Sequence, residues 1–380
     1  MPLDDGDPEP PLTPTPSPQH HVVTWRTSPI IPTTLLITGR SQVQVLLGPP
    51  FSPEGRGASA SSAEGTYRLL SALYAPNGLR HSPVTIAANA AAEAFLVDFH
   101  RDFPGCTSLC FAESRNSEGH SSYDLLVRTV PLGARVLDLG CGDGHLLKLL
   151  VEAGHSPARL TGLDLSTEEL SLAMNRPELS GVRLLQGHAD QLPIEAGAVD
   201  VVVCHMVLML VSPLAPVVEE LARILAPGGQ LQAMLGGGPR VLPQGNAFEH
   251  FLDQLNELAL GSDKRVPLLG DRRLRTLTGL DSVFSPELGF GAPRVDHHYV
   301  TRTAPFARTW EFLSRVYERR LLDADALVLL ESRFQASCQD LFGASQDLPS
   351  SWAMRHLTVG PLPISAQGAQ TFPPRSAEPT

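Results

Sequence analysis

The sequence predicts an α/β fold with a mostly parallel sheet, and three observations carry that prediction. Residues 136–150 read VLDLGCGDGHLLKLL. This is a short apolar strand, a turn holding Gly140, Gly142 and Gly144, and then Leu146, Leu147, Leu149 and Leu150 at helical spacing. Downstream, strand-length apolar runs alternate with amphipathic stretches, the mark of strands joined by right-handed helical crossovers. Finally, the run LAPGG at 225–229 leads into another apolar strand, with Gly228 and Gly229 making the turn.

Residues 1–62 stand apart. Proline alternates with small and polar residues over 8–18, a composition that cannot build a core. The stretch 35–47 has strand character but no neighbouring pattern to partner it. This segment reads either as a disordered tail or as sequence not normally translated. Gln42 to Val45 followed by LLGPP resembles a transfer-RNA gene's T-arm and acceptor end read as protein. On that second reading the start lies near Leu70 or Leu73 at a non-ATG codon, since the next methionine is Met174.

Residues 63–130 are read as a helical cap. The first helix spans 84–103, with Phe95, Phe99 and Phe103 on one face and Pro104-Gly105 ending it. A shorter one covers 121–129, capped by Ser121 or Ser122, with Tyr123, Leu125 and Leu126 on its apolar side. The core domain, 131–238, holds expected strands at 135–139, 160–164, 182–186, 199–204 and 230–235. Helices are expected at 146–153, 167–174 and 214–225. From 239 to 360 come helices at 248–260 and 271–280, a strand at 294–301 and amphipathic helices around 306–317 and 327–341. A final strand is expected at 352–359. The remaining residues, 361–380, read as a disordered tail.

Composition narrows function. The chain has 380 residues, 42% hydrophobic and 18% charged, with a net charge of -11. That balance suits a globular protein and disfavours nucleic-acid binding, where a basic face supplies most of the affinity. The five cysteines are too few for a disulfide scaffold, and Cys106 and Cys110 lack a second pair to complete a zinc site. No metal, membrane or nucleic-acid partner is expected. The apolar run 201–218 is broken by His205, Ser212 and Pro213, so it reads as a core strand and its loop. The N-terminus has neither a basic n-region nor an apolar h-region, and the expected location is cytoplasmic.

Ligands of such sheets sit at the carboxyl ends of the strands. Asp138 lies two residues before the glycine turn. Asp164 ends the next strand in TGLDLS, about twenty residues on, where an acid meets ribose hydroxyls. Asp190 follows the third strand in GHADQLP, and His205 and Met206 follow the fourth. Taken alone, Asp164 also fits a helix N-cap and Asp190 a turn before Pro193. The spacing is GxGxG, and His145 breaks the GxGxxG of an NAD-dependent oxidoreductase.

In order and spacing, residues 134–238 resemble the class I S-adenosylmethionine-dependent methyltransferases, of the small-molecule type. The resemblance implies a Rossmann-like seven-stranded sheet whose last strand inserts antiparallel beside the fifth, with added helices near the substrate. It implies S-adenosylmethionine as cofactor. Gly140, Cys141, Gly142 and Gly144 would let backbone approach its methionine portion, and Asp138 would help bind the ammonium side. Asp164, with Leu165 beside it, would take the ribose, and Asp190 with the Ala189 backbone the adenine. Tyr123, on a helix before the glycine turn, would face the cofactor.

His205 sits where the family lines the methyl-transfer site. It is the candidate general base and also a candidate member of the cofactor shell. His297 and His298 face opposite sides of a strand, so one is a candidate for the substrate cavity. The implied activity is O- or N-methylation of a small, partly apolar acceptor in specialised metabolism. C-methylation of a quinone-like ring and a non-catalytic S-adenosylmethionine-binding protein stay open.

Overall fold

The computed structural model describes residues 36–38, 42–44, 83–237, 246–343 and 347–361. The remainder of the expected tails at 1–62 and 361–380, and the first part of the cap, lie outside the described residues. The chain divides into two units, 1–78 and 79–380. In the first, β1 (Leu36–Thr38) and β2 (Gln42–Gln44) pair antiparallel, Ile37 opposite Val43. Within the stretch 35–47, residues 36–38 and 42–44 therefore partner each other.

The second unit opens with α1 (Pro83–Asp102), α2 (Cys106–Phe111) and α3 (Ser122–Val127). Ser121 caps α3 in a reciprocal box with Asp124. Then come β3 (Val136–Leu139), α4 (His145–Glu152), β4 (Leu160–Asp164), α5 (Thr167–Met174), β5 (Arg183–Gln186), β6 (Val199–His205) and α6 (Ala215–Ile224). The chain continues through β7 (Leu225–Gly236), α7 (Ala247–Ala259), α8 (Leu277–Val283), β8 (Arg294–Ala304), α9 (Phe306–Leu313), α10 (Ala324–Phe342) and β9 (Leu348–Val359).

These strands form one seven-stranded sheet in the order β5-β4-β3-β6-β7-β9-β8. The first five run parallel, and β9 inserts antiparallel between β7 and β8. The order reverses between β3 and β6, which opens a crevice at their carboxyl ends.

Apolar residues alternate between the two faces, as a sheet covered on both sides requires. On one face Val201, Val203 and Met234 join a core with Leu147, Phe251, Phe312, Phe334 and Trp352. On the other, Val202, Cys204 and Ala233 pack with Val217, Leu221, Phe284 and Phe290. Asp138 is the exception, a carboxyl group inside a strand otherwise built of buried apolar residues.

Three elements differ from expectation for local reasons. β7 begins at Leu225, which pairs with Val199 before the register shifts to Val201 opposite Gln230. The glycine turn at 228–229 is thus a bulge inside the strand, with Gly228 at φ +88°. The helix expected at 271–280 splits at Thr276, whose extended backbone separates a short turn at 272–275 from α8 and whose hydroxyl caps Gly279. The helix through Tyr317 stops at Leu313. Val316 is extended, and Tyr317 opens a separate turn that reaches back over α1.

Candidate functional site

A cavity of about 470 Å³ lies at the carboxyl ends of β3, β4, β5 and β6, within the range of small-molecule sites. Its floor is the glycine turn after β3. The Gly140 and Cys141 amides both donate to the Leu163 carbonyl, at 2.8 and 3.0 Å, tying the turn to β4. Gly140 has φ +70°, and a Cβ there would lie 2.3 Å from a Val207 methyl, so only glycine fits. Cys141 lines the cavity but turns its sulfur under the turn, 2.8 Å from where a Cβ on Gly162 would be. Gly144 is a correction to the expected set. It does not line the cavity; a Cβ there would meet Leu179 at 2.5 Å, so its role is to seat α4.

Asp164 ends β4 with its carboxylate held by two backbone amides. Gly142 N–H donates to Oδ2 at 2.8 Å and Ser166 N–H to Oδ1 at 2.9 Å. Each oxygen keeps acceptor capacity for a further donor. Burial pushes this carboxyl up despite those bonds. Leu165 lines the cavity beside it, and Ala189 and half-buried Asp190 form the wall beyond β5.

Asp138 is 1% exposed, and its Oδ2 has no hydrogen-bond partner among the described residues. Burial, then the nearby charges of Asp164 and Asp143, holds its carboxyl well above the usual range. A buried carboxyl oxygen left unpartnered costs free energy unless something supplies a donor. An ammonium group in the cavity would supply one.

Tyr123 and His205 close the far side. Their rings stack at 3.8 Å and 16°, and Phe111 meets His205 edge-on at 5.8 Å. His205 Nε2 shares a 2.9 Å hydrogen bond with Ser122 Oγ, while Nδ1 is buried without a partner among the described residues. Burial, with a smaller push from His145, lowers its pKa to about 3. The expected general base is therefore a neutral, stacked imidazole with one nitrogen already engaged, an environment that makes it a weak proton acceptor at neutral pH. Met206, next in the chain, lines the cavity at φ +63°, a backbone strain of the kind that gathers at functional sites.

His297 and His298 do not reach the cavity; they lie on edge strand β8, where the His298 ring is 6.2 Å from that of His356. Among the lining residues outside the expected set are His100 on α1, Glu169 on α5 and Tyr317. Glu169 sits in a helix first turn beside a capping serine and passes for a surface charge until α1 covers it. Among the described residues, no group of three or more His, Cys, Asp or Glu is arranged to hold a metal ion. No described helix is long and apolar enough to cross a membrane.

The orphaned Asp138 oxygen, the glycine cradle and the open acceptor positions of Asp164 match the ammonium, the methionine chain and the ribose diol of S-adenosylmethionine. Residues 137–233 match the family model described as methyltransferase domain. Over 113 residues the chain is 34% identical to a demethylmenaquinone methyltransferase of Bacillus licheniformis, covering 30% of this chain and 49% of that protein. Over 105 residues it is 38% identical to a ubiquinone biosynthesis O-methyltransferase of Sodalis glossinidius, covering 26% and 40%. A malonyl-[acyl-carrier protein] O-methyltransferase of Methylococcus capsulatus is 37% identical over 102 residues, 27% and 37% of the two chains. The chain thus spans less than half the length of these relatives. The matched segment, 137–233, is thus similar to a methyltransferase domain, and it contains the glycine turn and the strand ends that line the cavity.

Proposed function

We propose that the protein transfers the methyl group of S-adenosylmethionine to a small, partly apolar acceptor by O- or N-methylation. The observation that carries this reading is the unpartnered, buried Asp138 oxygen at the edge of a cavity whose floor is bare glycine backbone. The bound cofactor supplies an electrophilic methyl on a sulfonium. The protein's part is to hold it, with Asp138 toward the ammonium, Asp164 toward the ribose and Asp190 with Ala189 toward the adenine, and to present the acceptor in line. Proximity and orientation alone can lower such a barrier by ~7–11 kcal/mol, so a strong base is not required. Leu96, Val97, Leu210 and Val211 give the cavity apolar flanks that suit an apolar acceptor. The net charge of -11 weighs against nucleic acid, and free cysteines suit a reducing compartment such as the cytoplasm.

Relatives named O-methyltransferases support transfer to oxygen. The demethylmenaquinone methyltransferase keeps methylation of a quinone-like ring as the second reading. The test is incubation with methyl-labelled S-adenosylmethionine and a small-molecule extract, followed by mass spectrometry. Label in a low-mass product is expected. Label only in macromolecules overturns the acceptor class, and unconsumed cofactor across extracts overturns catalysis.

A further inference from the structure

Glu169, His100 and Tyr317 form a hydrogen-bonded row along the wall of the cavity opposite the strand ends. Glu169 is 3% exposed in the first turn of α5. Its Oε1 accepts from His100 Nδ1 at 2.8 Å, and both of its oxygens accept from the Gly105 amide at 3.0 Å. His100 Nε2 lies 3.2 Å from the Tyr317 hydroxyl oxygen. Burial pulls the His100 pKa down, but hydrogen bonds to Cys106 and Glu169 outweigh it and raise it to about 12. The imidazole is thus charged at neutral pH with both nitrogens donating. Nε2–H then points its proton at the tyrosine oxygen, which leaves the tyrosine's own O–H free to donate elsewhere.

The row's position says what it would donate to. Glu169 Oε2 is 3.6 Å from where a Cβ on Gly142 would stand, so the row passes over the glycine turn. That turn is where the methionine portion lies on the reading above. Among the described residues, no lysine or arginine lines the cavity. Of its other histidines, His205 is neutral, burial holds His145 down, and His188 sits 3.4 Å from Glu93. The remaining ionisable lining is carboxylate, tyrosine and the Cys141 thiol, none of which supplies positive charge. A zwitterionic amino acid therefore finds an acid for its ammonium at Asp138, and His100 is the built source of positive charge for its carboxylate.

We infer that the Tyr317 hydroxyl, backed by His100 and Glu169, holds the carboxylate of the cofactor's methionine portion. This rests on the cofactor-binding reading above and extends it to His100 and Tyr317, which lie outside the matched segment 137–233. Tyr317 is the contact, and His100 and Glu169 position and polarise it.

Two ligands separate this inference from the reading beneath it: S-adenosylhomocysteine, and 5′-methylthioadenosine, which keeps the adenosine and sulfur but lacks the amino-acid carboxylate. Both are titrated by calorimetry into the full chain and into Tyr317→Phe, which keeps the ring contacts to Phe95 and Phe99 at 5.9 and 4.6 Å. S-adenosylhomocysteine should bind about tenfold more weakly to the variant, as for loss of one charge-assisted hydrogen bond, with methylthioadenosine unchanged. His100→Gln should show the same selective loss. Equal losses for both ligands, or none for either, overturn the inference while leaving the cofactor site standing. Failure of the unmodified protein to bind either ligand removes the cofactor reading itself, and this inference with it.

Discussion

The cavity is closed by two unlike walls. The strand-end wall comes from one stretch of chain, 138–207, and its working groups are backbone amides, bare glycines and acids. The opposite wall is assembled from α1, the start of α2 and a turn that begins more than two hundred residues later at Tyr317. It is held by a buried ion pair between His100 and Glu169, by Ser108 Oγ donating to Asp143 at 2.7 Å, and by edge contacts of Tyr317 with Phe95 and Phe99. The first wall is fixed by sheet hydrogen bonds that form whether or not a ligand is present. The second depends on a few side chains reaching across to carboxylates of the first. Recognition on the two walls should therefore fail differently when residues are changed.

The largest effect is expected at Asp164. Two charge-assisted hydrogen bonds to the ribose, each worth ~1.5–3 kcal/mol, would be lost in Asp164→Ala. S-adenosylhomocysteine binding should weaken by roughly ten- to a thousandfold. The same carboxylate also holds the Gly142 and Ser166 amides, so the variant should melt lower as well. Unchanged affinity by calorimetry would break the assignment of the strand-end wall.

Asp138 should give a smaller effect of a different kind. Its folded pKa lies above the unfolded value of ~3.9, so between the two the folded protein binds a proton that the unfolded chain has released. Stability from this group therefore falls as pH rises through that window. An ammonium favours the charged carboxylate, so ligand binding should expel the proton and tighten as pH rises toward the raised pKa of the folded protein. Asp138→Asn should flatten that trend and weaken S-adenosylhomocysteine by about tenfold, yet leave the melting midpoint level or higher, because a costly buried acid is gone. A steep fall in melting would mean that the Asp138 carboxylate supports the fold in a way its unpartnered oxygen does not indicate.

The two walls also differ in how far residue order alone describes them. The strand-end wall could be read because its parts are local: a strand, its turn and the acid at the next strand's end recur at spacings set by βαβ geometry. Asp138, Gly140, Asp164 and Asp190 fall into one cavity for that reason. Gly144 shares the glycine spacing but serves helix packing, a distinction only the Leu179 contact makes visible. Nothing local marks Glu169 as buried, since the side chains that bury it lie about seventy residues before it and about one hundred and fifty after it. The pairing of His100 with Tyr317 likewise depends on α9 stopping at Leu313, which apolar spacing through 317 does not foretell.

The smallest effect is expected at His205, and it sharpens the contrast because His205 joins the strand-end wall to the cap through Ser122 and Tyr123. A positioned general base typically contributes ~10²–10⁴-fold to rate. An imidazole with a pKa of about 3 is already neutral at pH 7, but its low basicity gives little driving force for taking a proton. One of its nitrogens is shared with Ser122, and its ring is covered by Tyr123. His205→Asn keeps a hydrogen-bonding group while removing the imidazole and its stacked ring. With the acceptor found by labelling, its single-turnover rate should fall by less than about tenfold, and the rate should keep its pH dependence between about pH 6 and about pH 9. Such a result would place His205 among the groups that fix the geometry of Tyr123 and the cap. A loss of a hundredfold or more with cofactor affinity intact would instead make it the base, and would mean that the bound acceptor changes the surroundings that hold its pKa down.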